Sequence, residues 1–342
     1  MHAEITPGAA SEKLLDVRDL KITVPTRGGL ATIVDGVSFH VDKGEALGVV
    51  GESGCGKSIT AMSLLGLLPP GGKVAGGSAM FEGNDLFKLS NARMQRVRGG
   101  RISVVFQDPM TSLNPVMRVG DQIAEPLMEH LKMSKAQAWA RAGELMRLVG
   151  IPGGETRLVN YPHELSGGMR QRVMIAIGLA CEPPLLVADE PTTALDVTIQ
   201  AQIVDLVKEL RARLGMSIIW ITHDLALVSG LVDRVMVLYS GKIVEEAPVD
   251  DLYANPTHPY TRGLLASLPR LEGAETRRLP SIAGTPPDPR RRPTGCPFAP
   301  RCNLRIARCD TQMPPLAVVP DGVAAHKAAC WVTVDAVKEV AA

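Results

Sequence analysis

Neither sign of charge dominates this sequence: 37 basic residues against 36 acidic ones leave a formal net charge of +1 over 342 residues. That balance argues against a nucleic-acid partner or a polybasic membrane anchor, both of which need an excess of Lys and Arg. No apolar run approaches the ~20 residues that a membrane-spanning helix requires. The first residues, Met1-His-Ala-Glu-Ile-Thr6, lack the basic-then-apolar layout of a signal peptide. The chain is therefore expected in the cytosol, where its six cysteines would not form structural disulfides. Internal repeats and coiled-coil heptads are missing as well. What remains is an ordinary globular composition, 45% hydrophobic and 21% charged, long enough for one large α/β domain with an appendage or for two domains.

The most informative stretch is residues 46–58. Ala46-Leu-Gly-Val-Val50 reads as a short buried strand, and Gly51-Glu-Ser-Gly-Cys-Gly-Lys-Ser58 matches G-x-x-x-x-G-K-[ST] at every fixed position. Residues 59–68 then carry a helical apolar pattern. Strand, glycine loop and helix together make a phosphate-binding site: successive backbone N–H groups face inward as an anion nest at the positive end of the following helix. Gly51, Glu52, Ser53, Gly54, Cys55, Gly56, Lys57, Ser58 and Ile59 are the expected phosphate-binding residues. Lys57 would reach the β- and γ-phosphates, and the Ser58 hydroxyl would ligate Mg²⁺.

Before this loop, residues 14–24 and 31–41 alternate as strands of an antiparallel layer, with a turn at 26–29. Residues 78–88 suggest a further hairpin piece, and 102–106 a second buried strand that ends in the polar loop 107–115. A helical pattern runs from Val119 to about Leu148, and a later helix is expected over 172–181. Leu185-Leu-Val-Ala188 is a buried strand ending in Asp189-Glu190, where carboxylates of an open α/β sheet meet ligands. A strand ending in two acids also occurs without function. As a site, Asp189 would hold Mg²⁺ and Glu190 would polarise an attacking water. A helix over 197–214 follows, then a strand over 217–221 leading to His223, and a last strand pair near 235–239 and 242–246. Beyond residue 247 prolines cluster, and 285–293 reads as an extended linker.

The order of the loop at 51–58, Leu165-Ser-Gly-Gly-Met169 and Asp189-Glu190 resembles the ATPase subunits of ABC transporters. The resemblance implies several roles. Gln107 would be the loop glutamine that senses Mg²⁺ and the membrane subunit, and His223 the histidine that contacts the γ-phosphate. Ala194-Leu195-Asp196 matches the D-loop. Leu165, Ser166, Gly167, Gly168 and Met169 would act in trans, on ATP held by a partner's loop. Catalysis would fall to Glu190, His223, Lys57 and Gln107, with Ser58, Gln107 and Asp189 around Mg²⁺. His163 is expected to pack or cap. The aromatic residue that commonly stacks on adenine is missing, with Val24 in its place. Phe106-Gln-Asp-Pro-Met-Thr-Ser-Leu-Asn-Pro115, Tyr161-Pro-His-Glu-Leu-Ser166, His258-Pro-Tyr-Thr-Arg-Gly-Leu-Leu265 and Gly295-Cys-Pro-Phe-Ala-Pro-Arg-Cys302 narrow the resemblance to oligopeptide/dipeptide importers, over residues 14–331.

Cys296, Cys302, Cys309 and Cys330 are not spaced as the paired C-x₂-C of zinc ribbons. Four thiolates suit a [4Fe–4S] cluster or Zn²⁺, with His326 a possible substitute ligand and four free thiols the remaining alternative. The importer resemblance favours the cluster. The expectation is an α/β P-loop ATPase over 1–250, with a mixed β-sheet core, an antiparallel β layer and a helical subdomain near 108–180. A Cys-rich metal-binding extension over 251–342 would follow. Such a subunit would bind ATP and Mg²⁺ at the cytoplasmic face of the inner membrane. Its partners would be a second ATPase subunit, two transmembrane permease subunits and an extracytoplasmic solute-binding protein. Import of nickel or another small solute, and a soluble ABC ATPase, are the alternative functions.

Overall fold

The computed structural model describes residues 12–193, 195–268, 281–319 and 325–332. Two long strands, β1 (Lys13–Thr26) and β2 (Gly29–Asp42), form an antiparallel ribbon, joined on the β1 side by β4 (Lys73–Phe81) and β5 (Asn84–Asp85). Between them in sequence come β3 (Ala46–Val50) and α1 (Lys57–Leu64). After this layer the chain runs through α2 (Asn91–Val97), β6 (Ile102–Val105), the single turn α3 (Pro109–Ser112), α4 (Val119–Leu131), α5 (Lys135–Leu148), the turn α6 (Gly154–Arg157) and α7 (Gly167–Leu179). It returns through β7 (Leu185–Asp189), α8 (Val197–Leu214), β8 (Ser217–Thr222), β9 (Arg234–Tyr239), β10 (Lys242–Pro248), α9 (Val249–Ala254) and α10 (Pro259–Ala266). The short elements α11 (Arg308–Thr311), β11 (Ala317–Val318) and β12 (Lys327–Ala328) end the described chain.

The core sheet has eight strands in the order β11-β12-β10-β9-β3-β8-β7-β6. Strands β9, β3, β8, β7 and β6 are mutually parallel, and β10, β12 and β11 are added antiparallel. Period-two alternation divides its central strands between two cores. Leu186, Ala188, Ile218 and Trp220 face the helices α4, α5, α7 and α8, whereas Leu47, Val49, Leu185, Val187, Ile219 and Ile221 face α1 and the antiparallel ribbon. With both faces covered, the central strands are apolar on both sides, as parallel strands require. Each such side chain contributes about 1.5–3 kcal/mol relative to exposure.

Several boundaries differ from the sequence reading for local reasons. The first helix stops at Leu64, not 68, because Gly66 turns left-handed (φ 62°) and Leu67 N–H folds back onto Met62 O. The continuous pattern over 119–148 is two helices, broken where Lys132 takes a left-handed conformation (φ 55°) and Ser134 opens a new capping box with Gln137. The helix expected over 172–181 begins five residues earlier, at Gly167, because Ser166 caps it, and ends at Leu179. Strand β6 stops at Val105, and Phe106 is exposed.

The segment after residue 250 is fastened to the core sheet. Strand β12 pairs with β10 at Glu245↔Ala328, and β11 pairs with β12. The Glu245 carboxylate is fully buried and accepts hydrogen bonds from Thr257 N–H (2.7 Å), His258 N–H (2.9 Å) and His326 Nε2 (2.8 Å). Tyr239, Tyr260 and Phe298 pack as an aromatic trio with ring centroids 4.6–5.4 Å apart. Among the described residues, no helix is long and apolar enough to cross a membrane.

Candidate active site

Parallel pairing brings the carboxyl ends of β3, β6, β7 and β8 to one edge of the sheet, and the chemistry-bearing residues follow those ends. After β3 the chain turns at Gly51, where an added Cβ would overlap the Leu238 carbonyl oxygen. Only glycine lets the backbone pass so close to β9. Gly56 (φ 108°) then leads into α1. Lys57 is 4% exposed, and its Nζ donates to the carbonyls of Gly51 (2.7 Å) and Glu52 (3.1 Å) while lying 3.7 Å from Glu190 Oε1. Ser58 Oγ donates to Asp189 Oδ1 at 2.7 Å. Burial, with the charge of Glu190 adding to it, holds the Asp189 carboxyl above the usual carboxylate range. A hydroxyl and a carboxylate oxygen held together in this way are hard donors of the kind Mg²⁺ takes.

Glu190 stands at the centre. Its backbone is left-handed (φ 45°), an uncommon state for a non-glycine residue, and is fixed by Glu190 N–H donating to Ile221 O at 2.9 Å. Its Oε2 meets Gln107 Nε2 at 3.3 Å, Thr193 Oγ1 at 3.1 Å and His223 Nδ1 at 3.1 Å. Thr193 has no counterpart in the sequence reading, since a hydroxyl three residues past an acid carries no recognisable signal. A cleft of about 270 Å³ runs along the phosphate loop, walled by Ile33, Ser53, Gly54 and residues 56–59, with Gln107 and Glu190 opposite. Val24 is not among the residues that line it; Ile33 of β2 and Ile59 of α1 are the apolar side chains at the cleft. Glu52 and Cys55 do not line it either. Glu52 faces the C-terminal segment, and Cys55 is buried behind the loop, which pushes its thiol up.

Residues 165–169 are not among those that line this cleft. Ser166 Oγ caps α7 by accepting from Met169 N–H, and Gly168 is so close to Ile199 of α8 that an added Cβ would sit 3.0 Å from it. Asp196 caps α8, accepting from Ile199 N–H at 3.0 Å. The signature and the D-loop residues therefore share one neighbourhood. Ala194 lies outside the described residues. His163 stacks on Tyr161 (5.7 Å between centroids), the packing role expected of it.

The four C-terminal cysteines are unpaired; Cys296, Cys309 and Cys330 are buried and Cys302 half-buried. Cys296 N–H donates to Cys309 O at 2.8 Å, tying the first thiol's turn to the third. Leu304 N–H points at Cys302 Sγ (3.4 Å). Burial pushes the Cys296 thiol up to about 11. His326, whose Nε2 is taken by Glu245, is committed to that carboxylate.

The profile described as "ABC transporter" matches residues 34–193, and that described as "Oligopeptide/dipeptide transporter, C-terminal region" matches residues 244–309. The chain is 52% identical over 332 residues to a probable peptide ABC transporter ATP-binding protein of Sinorhizobium fredii, covering 97% of this chain and 98% of that one. It is 51% identical over 323 residues to the dipeptide transport ATP-binding protein DppD of Bacillus subtilis, covering 94% and 95%. This chain belongs to the ABC transporter ATP-binding family.

The ABC subunit is also similar to solved cassettes. A post-hydrolysis dimer of an ATP-binding cassette bound to ADP and Pi superposes with a TM-score of 0.62 at 26% identity, over 69% of this chain and 98% of that one. The Clostridium perfringens protein cbiO1, part of the transporter complex cbiONQ, gives a TM-score of 0.61 at 27% identity, over 71% and 92%. Each cassette thus matches part of the ABC subunit. The peptide-transporter relatives extend through the Cys-rich segment as well.

Proposed function

We propose that this ABC subunit hydrolyses ATP at the cytoplasmic face of the membrane to power import of di- or oligopeptides. The observation that carries the chemistry is the convergence on Glu190: Lys57, Gln107, Thr193 and His223 all reach a carboxylate held at the mouth of the phosphate-loop cleft. Glu190 is the general base that orients water for in-line attack on the γ-phosphate, and His223 holds Glu190 and the attacked group in register. Ser58, Asp189 and Gln107 would hold Mg²⁺, which would supply positive charge beside Lys57 against the charge that spreads over the phosphoryl oxygens. Positioning and electrostatics supply most of such catalysis. The peptide cargo is supported by the names of the relatives and by the match at 244–309.

That residues 165–169 do not line the cleft supports action in trans. Two ATPase subunits sandwich two nucleotides, each cleft closed by the other's Leu165–Met169 segment, and closure drives a pair of permease subunits fed by an extracytoplasmic binding protein. The division near residue 250 is functional in this reading: residues 1–250, with the helical subdomain near 108–180, carry the nucleotide chemistry, and 251–342 are the metal-bearing extension.

Cys296, Cys302, Cys309 and Cys330 hold a [4Fe–4S] cluster in this reading, with Zn²⁺ the competing occupant. Among the described residues no three of their sulfurs lie within 4.8 Å of one another. Tetrahedral zinc at ~2.3 Å from each sulfur would draw them to roughly 3.8 Å, and it is the importer resemblance that favours the cluster. The Leu304 N–H aimed at Cys302 is of the kind that stabilises a bound thiolate. The function is tested with Glu190→Gln in the assembled complex. ATP should bind and the subunits should close, with turnover down roughly 10²–10⁴-fold; turnover near wild type would remove Glu190 from its role.

A further inference from the structure

Glu52 is the second residue of the phosphate loop, yet its side chain faces away from the cleft. Its carboxylate takes both arms of the Arg301 guanidinium, Nη1 to Oε2 at 2.8 Å and Nη2 to Oε1 at 2.9 Å. Its backbone N–H donates to Tyr260 Oη at 2.8 Å, and its carbonyl accepts from Lys57 Nζ at 3.1 Å. Two of these three anchors come from 249 and 208 residues further along the chain. Arg301 and Tyr260 lie in two of the stretches, 295–302 and 258–265, that set the peptide-importer branch apart, and the catalytic chemistry uses neither.

Arg301 is itself immobilised. Its side chain is 5% exposed, Nε donates to Ala283 O at 2.9 Å, Nη2 to Ile282 O at 3.1 Å and Nη1 to Tyr239 Oη at 3.2 Å. The guanidinium also lies over the rings of Tyr239 (5.7 Å) and Phe298 (5.9 Å). A shielded, two-pronged Arg–carboxylate pair is both strong and directional. Two consequences follow for the loop. Tyr260 withdraws the Glu52 N–H from the anion nest and fixes where the nest begins. Arg301 cancels an acidic charge that would otherwise stand beside a bound triphosphate.

We propose that Arg301 is a positioning residue for ATP: acting through Glu52, with Tyr260 as a second tether, it sets the first turn of the phosphate loop and screens its acid. The C-terminal extension thereby tunes nucleotide affinity. The turn Ala299–Arg301 runs directly into Cys302, whose N–H donates to Ala299 O at 3.3 Å, so one short turn carries both the clamp and a cysteine of the proposed metal site. The proposal rests on residues 51–58 being the ATP loop.

The test is titration of the full chain, in Mg²⁺, with a fluorescent ATP analogue, for wild type, Arg301→Gln, Glu52→Gln and the double variant. Thermal melting is run in parallel. Arg301→Gln should raise Kd roughly tenfold by leaving the Glu52 charge uncompensated. Adding Glu52→Gln should bring Kd back to within about threefold of wild type, although both arginine variants melt lower. In the assembled transporter the same pattern should fall on KM for ATP and leave kcat nearly unchanged. A wild-type Kd for Arg301→Gln, or a double variant as weak as the single one, would overturn the proposal. If Arg301→Gln does not fold, Arg301→Lys keeps the charge without the paired geometry and should raise Kd about threefold; an unchanged Kd again overturns it. Lys57→Ala serves as the control for the underlying reading: binding as tight as wild type would show that 51–58 is not the ATP loop.

Discussion

Acidifying a solution of this protein from pH 7 to 4.5 drives a proton toward His258, where the fold has no place for one. The imidazole is 1% exposed, and its Nδ1 accepts the Tyr260 N–H at 3.1 Å as the cap of α10. A proton on Nδ1 removes that acceptor. The ring faces Phe298 on one side, Glu245 receives the His258 backbone N–H, and the Arg262 charge acts on the ring. Burial pushes the imidazole down to about 4, Arg262 adds to the shift, and the Glu245 charge only partly opposes it. Because the folded-state value is depressed, the associated stability is fully present above pH 6.5 and is lost as the pH falls toward 4. At about 1.4 kcal/mol per unit the whole effect is about 3 kcal/mol, most of it spent by pH 4.5. His258→Asn keeps a capping acceptor without an ionisation. Urea unfolding of both proteins at pH 7, 5.5 and 4.5 isolates the effect, since every other titration is shared. The stability difference between them should shrink, or reverse in the variant's favour, by about 2.5 kcal/mol across that range. A difference that stays constant with pH would refute the reasoning that burial and the cap suppress protonation.

Three further outcomes are expected. Gly51→Ala should cost about 1–3 kcal/mol and abolish binding of the fluorescent ATP analogue, because the new Cβ collides with the Leu238 carbonyl and the Cys55 sulfur. Thr193→Val should lower turnover about threefold to tenfold without changing ATP affinity, by removing one hydrogen bond that aims Glu190; steady-state kinetics of the assembled complex separates the two. Anaerobically purified chain should contain about four iron and four sulfide with a broad visible band, lost in Cys302→Ser. One zinc and no colour would replace the cluster with a zinc staple.

The strand-loop-helix at 46–64 and the acids closing β7 were legible because each is short, local and chemically restricted. The parallel core was legible for the same reason, as runs of apolar residues too short for helices. What escaped the sequence lay in distance or in brevity. Strands β11 and β12 have two residues each, too few for any alternation to register. The break at Lys132 was hidden because the apolar faces of α4 and α5 continue one another in sequence while the backbone does not. Helix α7 starts on glycines that propensity disfavours, and only the Ser166 cap explains it. That Ile33, and not Val24, borders the cleft depends on how the ribbon twists over the core. The pairing of Glu52 with Arg301 spans 249 residues, beyond any local pattern.

The placement of β12 also has a consequence for synthesis. Strand β10 (Lys242–Pro248) can pair with β9 as soon as it is made, but its other edge waits for Lys327 and Ala328. At ~5–20 residues per second, the roughly eighty intervening residues take about 4–16 s to emerge. During that interval a nascent chain carries an ATPase core with an open strand edge and a Glu245 carboxylate still lacking His326, the last of its three donors. An unpaired edge of this kind invites pairing with other chains. The last stretch of the polypeptide therefore acts as a latch on the whole domain. A ribosome that stops early releases a protein with a complete phosphate loop and an unfinished sheet, a natural substrate for quality control.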